Sequence, residues 1–548
     1  MQKYIFIFLI LFTFSITFAQ ESDTLYILQT TDVHGNIYPY DYFKDEPGDY
    51  GLAKVYTKVA EFRQHHRNVL LVDGGDLIQG TPLVYYFNKI ETTVPHPMIL
   101  TLDYMHYDAM TVGNHDIEQG LFTYMRAQSE SHFPWLSANS VLPDGSTYFD
   151  PYVIYDFDGI KVGIIGLTTP GIPMWLDPAL YPGITWADMV KTAGEYADEL
   201  RPEVDLLIGL FHAGFNADYS AATTDALGIP NENASMLIAE QVPGFDIIFA
   251  GHSHHPEPEQ KISIEDNNTP LLINAGSWGR NLGVAKIVLH QTDKSEQDLE
   301  EDLWNITEKN GWLVPMENVK ASEAIMQLTS YYHKKTLDYI RTEIAFATDT
   351  LSARDARMKD NALVEVINKA QLDATGADIS FAAAFNDRLV IEPGPIRIKD
   401  IYGMYRYENF LYVVELTGQQ IKDFLEYCAN YYVWDGKQIT PNPEMRGYNY
   451  DMAEGIEYTI DVTRKPGNRI ENLVLQSTDK SLKMNETYKV AMNSYRATGG
   501  GGHMAAAGAS DAKIIWKSSE EMRNILADYI KKTGKLTPHT DGNWKVVE

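Results

Sequence analysis

The stretch FDIIFAGHSHHPEP, residues 245–258, sets three histidines into four positions directly behind an apolar run. FDIIFA reads as a strand buried on both faces, and such runs belong to layered α/β sheets. Histidine is the commonest metal ligand. In an extended segment successive side chains alternate, so His252 and His254 would share one side. The stretch therefore predicts a central strand that delivers an imidazole pair at its carboxyl end.

The same arrangement recurs along the chain. TLYILQTT (24–31), NVLLVDGGD (68–76), AMTVGN (109–114), GIKVGIIGLTT (159–169), DLLIGLFHAG (205–214), PLLINAGS (270–277) and VAKIVLHQ (284–291) are further strand-like runs, separated by amphipathic stretches. This alternation predicts an α/β layered domain. Four of the runs end, like the opening one, in groups that bind metals. TTDVHGN offers Asp32 and His34, again two apart; DGGDLIQG offers Asp76 between glycines that let backbones approach closely. VGNHDIEQG offers Asn114, His115, Asp116 and Glu118, and GLFHAGF offers His212.

Each of these motifs alone is ordinary, since Asp or Asn after a strand often caps a helix. Together they are what one polynuclear site requires, because open α/β sheets gather functional groups at the carboxyl ends of their strands. Carboxylate, amide oxygen and imidazole without thiolate suit Zn, Mn, Fe or Co. Six or seven such ligands are too many for one tetrahedral ion and enough for two. A carboxylate bridging two ions about 3.5–4 Å apart is the arrangement that activates water and clamps a phosphate for in-line displacement. Phosphoester hydrolysis is the chemistry this set predicts.

Composition narrows the partners. The 75 acidic and 45 basic residues give a formal charge of −30, which repels nucleic-acid polymers; small anionic substrates remain compatible, because a metal or a local arginine cluster reverses the field in one pocket. Residues 1–20, MQKYIFIFLILFTFSITFAQ, read as a secretory signal peptide with small residues near a cleavage point, so an exported protein, periplasmic or extracellular, is expected. No other segment is long and apolar enough to span a bilayer. Cys428, the single cysteine, excludes an intramolecular disulfide and reads as a buried small apolar residue. A monomer is expected.

The length of 548 residues favours two domains. An acidic run, KSEQDLEEDLW (294–304), reads as a solvated face or loop. The segment SEAIMQLTSYYHKKTLDYIRTEIA has apolar residues near helical spacing and no Gly or Pro, which predicts one joining helix. The expected division is 21–320 for the first domain, 321–345 for the linker helix and 346–548 for the second. In the second, NALVEVINKAQLDATGADISFAAAF predicts a helix ended at Gly376 and then a strand. LTGQQIKDFLEYCANYY predicts another helix.

The five motifs in this order resemble the calcineurin-like metallophosphoesterases, and within them the exported 5′-nucleotidase and 2′,3′-cyclic-nucleotide phosphodiesterase/3′-nucleotidase family. The resemblance covers nearly the whole chain after the signal segment. It implies a four-layer α/β/β/α sandwich with a separate α+β nucleotide-binding domain, and two divalent ions (Zn, Mn, Co or Fe). Asp32, His34 and His254 would hold one ion, Asn114, His212 and His252 the other, and Asp76 would bridge them. His115 matches the histidine that stabilises the transition state or leaving group, and Glu118 stands three residues on, where typical 5′-nucleotidases have Asp. His255 lies outside the pattern and reads as a loop residue.

The second domain resembles one in which two aromatic rings sandwich the base, a contact worth about 1–3 kcal/mol per base. Tyr407 in YRYENFLYVVELTG and Tyr495 in MNSYRATGG sit at the matching positions, with Tyr405 competing for the first, and Asn409 falls where a base-contacting Asn is placed. Arg388 matches best as the phosphate-binding arginine, ahead of Arg354 and Arg357. Gly501 stands where 5′-nucleotidases carry a ribose-contacting Asp. Glu118 and Gly501 lean the expectation toward 2′,3′-cyclic nucleotides and 3′-nucleotides as substrates. A 5′-nucleotidase or UDP-sugar hydrolase is the alternative, and a catalytically silent nucleotide-binding surface protein the remote one.

Overall fold

The structure is a computed structural model that describes residues 22–261, 269–292 and 303–548. The signal-like segment 1–20 and most of the acidic run 294–304 lie outside these residues. Two six-stranded sheets stack in the first domain. In one, Ser22–Thr30, Asn68–Asp73, Ala109–Thr111 and Trp135–Leu136 run parallel, and Asn281–Thr292 and Leu303–Pro315 add antiparallel strands at one edge. In the other, Ile160–Thr168, Leu206–His212, Ile247–Ala250 and Leu271–Asn274 run parallel between antiparallel edge strands Tyr152–Phe157 and Glu257–Lys261.

Strand alternation sorts the side chains into layers. Leu70 and Val72 join Ile164, Ile208 and Ile247 in the apolar slab between the sheets. Leu71 turns the other way, into a core shared with Leu52, Leu83 and Met98 of the outer helices. On the far side Ile165, Leu207 and Phe211 face Met189, Ala193 and Ile238. The result is the expected α/β/β/α order. Because every central strand is covered on both faces, the runs read as continuous apolar segments rather than alternating ones.

The second domain centres on a five-stranded sheet ordered Asp451–Glu454, Ile379–Ala383, Thr487–Asn493, Phe410–Thr417, Ile514–Glu521. Helix Ala362–Thr375 starts at Asn361, whose side chain accepts from Leu363 N, and stops at Gly376, where φ is 61°. Helix Gly418–Cys428 packs its apolar face down, with Phe424 stacked on Phe381 at 4.3 Å between ring centres. Cys428 is buried, as its composition context suggested.

The joining segment differs from the single helix expected. It forms two helices, Glu323–Leu328 and Ser330–Ile340, and then a strand, Glu343–Ala347. The break falls at Thr329, where the backbone leaves helical geometry (φ −103°, ψ 10°), with both its hydroxyl and its N–H donating to Ile325 O. These helices pack on the first domain: Tyr332 and Ile340 belong to its core, and Tyr42 OH meets His333 Nδ1 at 2.7 Å. Among the described residues no helix is long and apolar enough to cross a membrane.

Candidate metal centre

Both sheets send their strand ends to one place. Asp32 and His34 follow Ser22–Thr30, Asp76 follows Asn68–Asp73, and Asn114 opens the short helix Asn114–Glu118 after Ala109–Thr111. From the second sheet come His212, the last residue of Leu206–His212, and His252 and His254, just past Ile247–Ala250. Asp32, His34, Asp76 and His254 form one group whose ligand atoms lie within 4.8 Å of one another; Asp76, His212 and His252 form a second. Asp76 belongs to both.

The route by which these side chains converge corrects the sequence reading. Asp32, His34, Asp76, His252 and His254 are not in extended backbone: their φ values are 49°, 49°, 57°, 68° and 56°. Left-handed backbone is uncommon for residues other than glycine and clusters at functional sites. The loops hold it through paired backbone bonds, Asp32 N to Gly75 O (2.9 Å), His34 N to Asp76 O (2.9 Å) and Gly35 N to Leu77 O (3.1 Å). Gly113 permits the closest approach, since a Cβ there would stand 2.2 Å from Asp76 Oδ1.

The ligand atoms are oriented by their neighbours. His212 Nδ1 donates to Gly74 O at 2.7 Å, which aims Nε2 at Asp76 Oδ2 (3.1 Å) and Asn114 Oδ1 (3.1 Å). His34 Nδ1 lies 3.2 Å from Gln79 O, leaving its Nε2 2.9 Å from His254 Nε2. His254 Nε2 is in turn 3.2 Å from Asp32 Oδ1. An imidazole that spends one nitrogen on a carbonyl presents a fixed lone pair with the other, as metal-ligating histidines do. Asp76 is held firmly through one oxygen: His115 N donates to Oδ1 at 2.8 Å, while the buried Oδ2 makes no well-directed hydrogen bond and faces His212 Nε2 at 3.1 Å and His34 Nε2 at 3.9 Å.

That oxygen, facing both histidine groups, is placed as a bridging carboxylate needs, so the residues fit divalent metal. Electrostatics agree. Burial opposes ionisation of Asp76, yet His212 and His115 outweigh it and hold the carboxyl well below its usual range. Burial, reinforced by neighbouring histidines, lowers His34 to about 4 and His252 to about 3, so both are neutral and able to donate a lone pair. His212 is instead raised to about 9, because Asp76 and Asp32 draw positive charge to that point against the cost of burial.

Beside the two groups stands a different kind of histidine. His115 Nδ1 meets Glu118 Oε2 at 2.5 Å, and its ring lies 5.4 Å from that of His34. Burial alone would lower it, but Asp76 and Glu118 outweigh that and raise it to about 10, keeping the imidazole cationic. Asp116, in the same motif, turns away from the centre. Its carboxylate accepts from the backbone N–H groups of Asp76, Leu77, Ile78 and Gly113 at 2.8–3.0 Å and shapes the loop that carries Asp76. His255 is exposed.

The second domain supplies an aromatic surface. Tyr407 is 38% exposed and packs edge-on to Phe385 at 5.3 Å and Tyr448 at 6.4 Å. Tyr495 is backed by Gly500, where a Cβ would meet its ring at 2.5 Å. Tyr405, the competing choice, is buried and has no free face. Asn409 is half-buried, with Oδ1 3.4 Å from Tyr405 OH. Arg388 and Arg354 are exposed; Arg357 is engaged instead, donating to Asp387 Oδ2 at 2.7 Å and to Ala384 O at 2.8 Å. Gly501 has φ 74°, and a side chain there would run into Arg496 Nη1 and Asn449 Oδ1.

Two features of the site escaped the sequence reading. Trp175 lies 5.5 Å from the His252 ring and lines a narrow cleft with Glu118, Glu408, Ser494 and Thr498, so both domains form its walls. Its motif, GIPMW, carries no chemical signature. Gln119 and Glu408 meet across the domains, a contact between residues 289 apart that no local pattern announces.

Comparison with known proteins agrees with this geometry. Residues 25–256 match the calcineurin-like phosphoesterase family and residues 343–508 match the 5′-nucleotidase, C-terminal domain. The 2′,3′-cyclic-nucleotide 2′-phosphodiesterase/3′-nucleotidase of Yersinia enterocolitica is 28% identical, over 95% of this chain and 88% of that one. The trifunctional nucleotide phosphoesterase protein YfkN of Bacillus subtilis is 31% identical over 95% of this chain, which spans 39% of that relative's length. A crystal structure of calcineurin-like phosphoesterase YfkN from Bacillus subtilis superposes with a TM-score of 0.51 at 31% identity, covering 58% of this chain and 99% of that one. The chain belongs to the calcineurin-like metallophosphoesterases that carry a 5′-nucleotidase C-terminal domain, a family of metal-dependent phosphoester hydrolases.

Proposed function

We propose that this protein hydrolyses nucleotides outside the cytoplasm, with 2′,3′-cyclic nucleotides and 3′-nucleotides as its main substrates and nucleoside and phosphate as the end products. The observation that carries the reading is Asp76, whose Oδ2 is buried, makes no well-directed hydrogen bond, and whose carboxylate is common to two ligand groups. Asp32, His34, Asp76 and His254 would hold one divalent ion, and Asp76, Asn114, His212 and His252 the other. Two ions in such a site supply water activation and neutralisation of phosphate charge.

The chain's own groups do the rest. His115, kept cationic by Asp76 and Glu118, places positive charge beside the centre and holds a proton for the departing ribose oxygen. Tyr407 and Tyr495 would stack on the base, and Asn409 would meet its edge. Arg388 and Arg354 are exposed cations for anionic substrate, whereas Arg357 is committed to Asp387 and serves the scaffold of the loop. At Gly501 the place of a side chain is taken by Arg496 Nη1 and Asn449 Oδ1, so this position offers the ribose no carboxylate, and this favours ribose carrying its phosphate on a secondary hydroxyl. The named activity of the Yersinia relative, which spans nearly the whole chain, supports the same choice.

The test is phosphate and nucleoside release from 2′,3′-cyclic AMP, 3′-AMP, 5′-AMP and UDP-glucose side by side, on metal-reconstituted protein with a chelated control. Chelator-sensitive cleavage strongest on the first two is expected. Preference for 5′-AMP or UDP-glucose would overturn the choice of substrate. No turnover of any of them at full metal loading would overturn the enzymatic reading itself.

A further inference from the structure

The helix Asn114–Glu118, which carries Asn114, His115 and Glu118, ends on Gln119, and Gln119 is tied to the other domain. Its Nε2 donates to Glu408 Oε2 at 2.7 Å. On its own side Gln119 is fixed by Asn88 Nδ2 (3.0 Å to Oε1) and Lys89 Nζ (3.2 Å to O). Glu408 is fixed on the other side by Arg523 Nη2 at 2.7 Å to Oε1. All three side chains at the contact are almost fully buried. Arg523 lies over two rings, Tyr402 of its own domain at 4.5 Å and Tyr85 of the first domain at 5.1 Å, and the next residue, Asn524, accepts from Tyr85 OH at 2.8 Å.

The composition of this contact is unusual for a joint meant only to be stable. Arg523 keeps Nε and Nη1 buried without a partner, and Glu521 stands 3.2 Å from Nη2 as a second carboxylate. Buried ion pairs recover little net free energy from their Coulomb attraction, because both charges give up hydration to form them. What they add is direction: the carboxylate accepts only where donors converge. A contact of this kind seats two bodies in one register while leaving them able to part, since opening returns water to Glu408 and Arg523. Glu408 also immediately follows Tyr407, so the seat and the aromatic surface are neighbours on one short segment between a helix and the strand Phe410–Thr417.

We propose that Gln119 and Glu408 are positioning residues: their buried contact, braced by Arg523, sets the nucleoside-binding domain over the metal centre in the arrangement that delivers substrate. This rests on the functional reading above. It predicts that the contact matters for substrates held by the second domain and not for a phosphodiester that has no nucleoside to hold.

The experiment compares Gln119→Glu, Glu408→Gln and the double exchange, each at full metal loading, on 2′,3′-cyclic AMP and on bis(4-nitrophenyl) phosphate, with the radius of gyration followed by small-angle X-ray scattering. Gln119→Glu sets two carboxylates against each other and is expected to lower kcat/KM on the nucleotide at least tenfold, mostly through KM, and to enlarge the particle. Turnover of the aryl diester should stay within twofold. The double exchange restores a donor facing an acceptor and should regain most of both losses. Equal losses on the two substrates, an unchanged radius in Gln119→Glu, or no recovery in the double exchange would each overturn the proposal. If the wild-type protein ignores nucleotides, the functional reading fails, and scattering alone still decides whether the contact seats the domain.

Discussion

Gly113→Ala isolates the geometry on which the centre depends. Gly113 has φ −97°, a conformation open to any residue, so alanine adds no backbone strain. Its Cβ, however, would stand 2.2 Å from Asp76 Oδ1 and 2.4 Å from Asp76 N, so the carboxylate or its loop must withdraw by about 1 Å to reach ordinary contact. Overpacking of this kind costs about 1–3 kcal/mol. The consequence for the centre is larger, because Oδ1 is the oxygen that His115 N anchors, and its displacement moves Oδ2 away from both ligand groups together. A misplacement of about 1 Å at a reacting centre lowers turnover roughly a hundredfold. The assay is metal content per chain by elemental analysis after dialysis, beside the melting temperature of the chelated protein. We expect both equivalents of metal to be weakened in parallel, with the melting temperature of the metal-free protein lowered only modestly. Retention of two tightly held ions and wild-type turnover would refute the claim that Asp76 is shared.

Single-ligand changes should behave differently: His254→Ala and His252→Ala each remove a side chain found in one group only, so each is expected to retain one equivalent of metal, measured the same way. Saturating the chelated wild-type protein with a divalent ion at a hundredfold excess over its dissociation constant should stabilise it by about 2.7 kcal/mol for each filled site, read from urea midpoints. His96 gives a pH signature away from the centre. Burial and nearby Arg126 lower it to about 3, with Nε2 donating to Asn88 Oδ1 and Nδ1 accepting from Met98 N, so it stays neutral in the fold and protonates near 6.5 once unfolded. Its contribution is whole above pH 6.5 and is lost by about 1.4 kcal/mol per pH unit as pH falls from there toward 3; His96→Gln should show a correspondingly shallower slope in urea unfolding. In the second domain Arg496 and Asp451 form a two-pronged buried pair at 2.7 and 3.1 Å, and Arg496 also holds Gly500 O and Tyr448 O. Asp451→Asn should cost about 3–5 kcal/mol in unfolding and raise KM for nucleotides, because an uncompensated Arg496 no longer fixes the loops beside Tyr495.

The centre was legible because its parts lie next to the features that build the fold. A strand buried on both faces is a short apolar run, and the first polar residues after it must emerge at the sheet's carboxyl edge; Asp32, Asp76, Asn114, His212 and His252 are such residues. What joins them laterally was not legible. Gln119 and Glu408, or Trp175 and His252, meet only because two domains pack, and a glutamine at a helix end or a tryptophan after proline reads as an ordinary residue. The joining helix failed for a more local reason. Its apolar spacing is helical on both sides of Thr329, and the departure of a single residue from helical backbone there (φ −103°, ψ 10°) leaves no trace in the spacing.

The backbone of the ligands presents the deeper case. Reading Asp32–His34 and His252–His254 as extended pairs accounts for side chains on one side but not for five ligand residues in the left-handed region. Each such residue costs about 1–2 kcal/mol, so the arrangement persists only if other bonds over-determine it. They do: the loop after the first strand is hydrogen-bonded residue by residue to the loop carrying Asp76, and Trp278 N donates to Asp32 O at 2.8 Å. His252 N reaches both oxygens of Asp32 at 3.1 Å, linking the two sheets at the same point. Such pairing demands backbones in near contact. A Cβ on Gly251 would lie 2.4 Å from Thr31 Oγ1, and one on Gly113 would collide with Asp76. The glycines flanking the ligands are therefore the visible trace of a strained geometry that the ligand residues themselves conceal. That geometry turns each carboxylate and imidazole inward by loop pairing and not by strand alternation, and the backbone bonds between the loops hold it there.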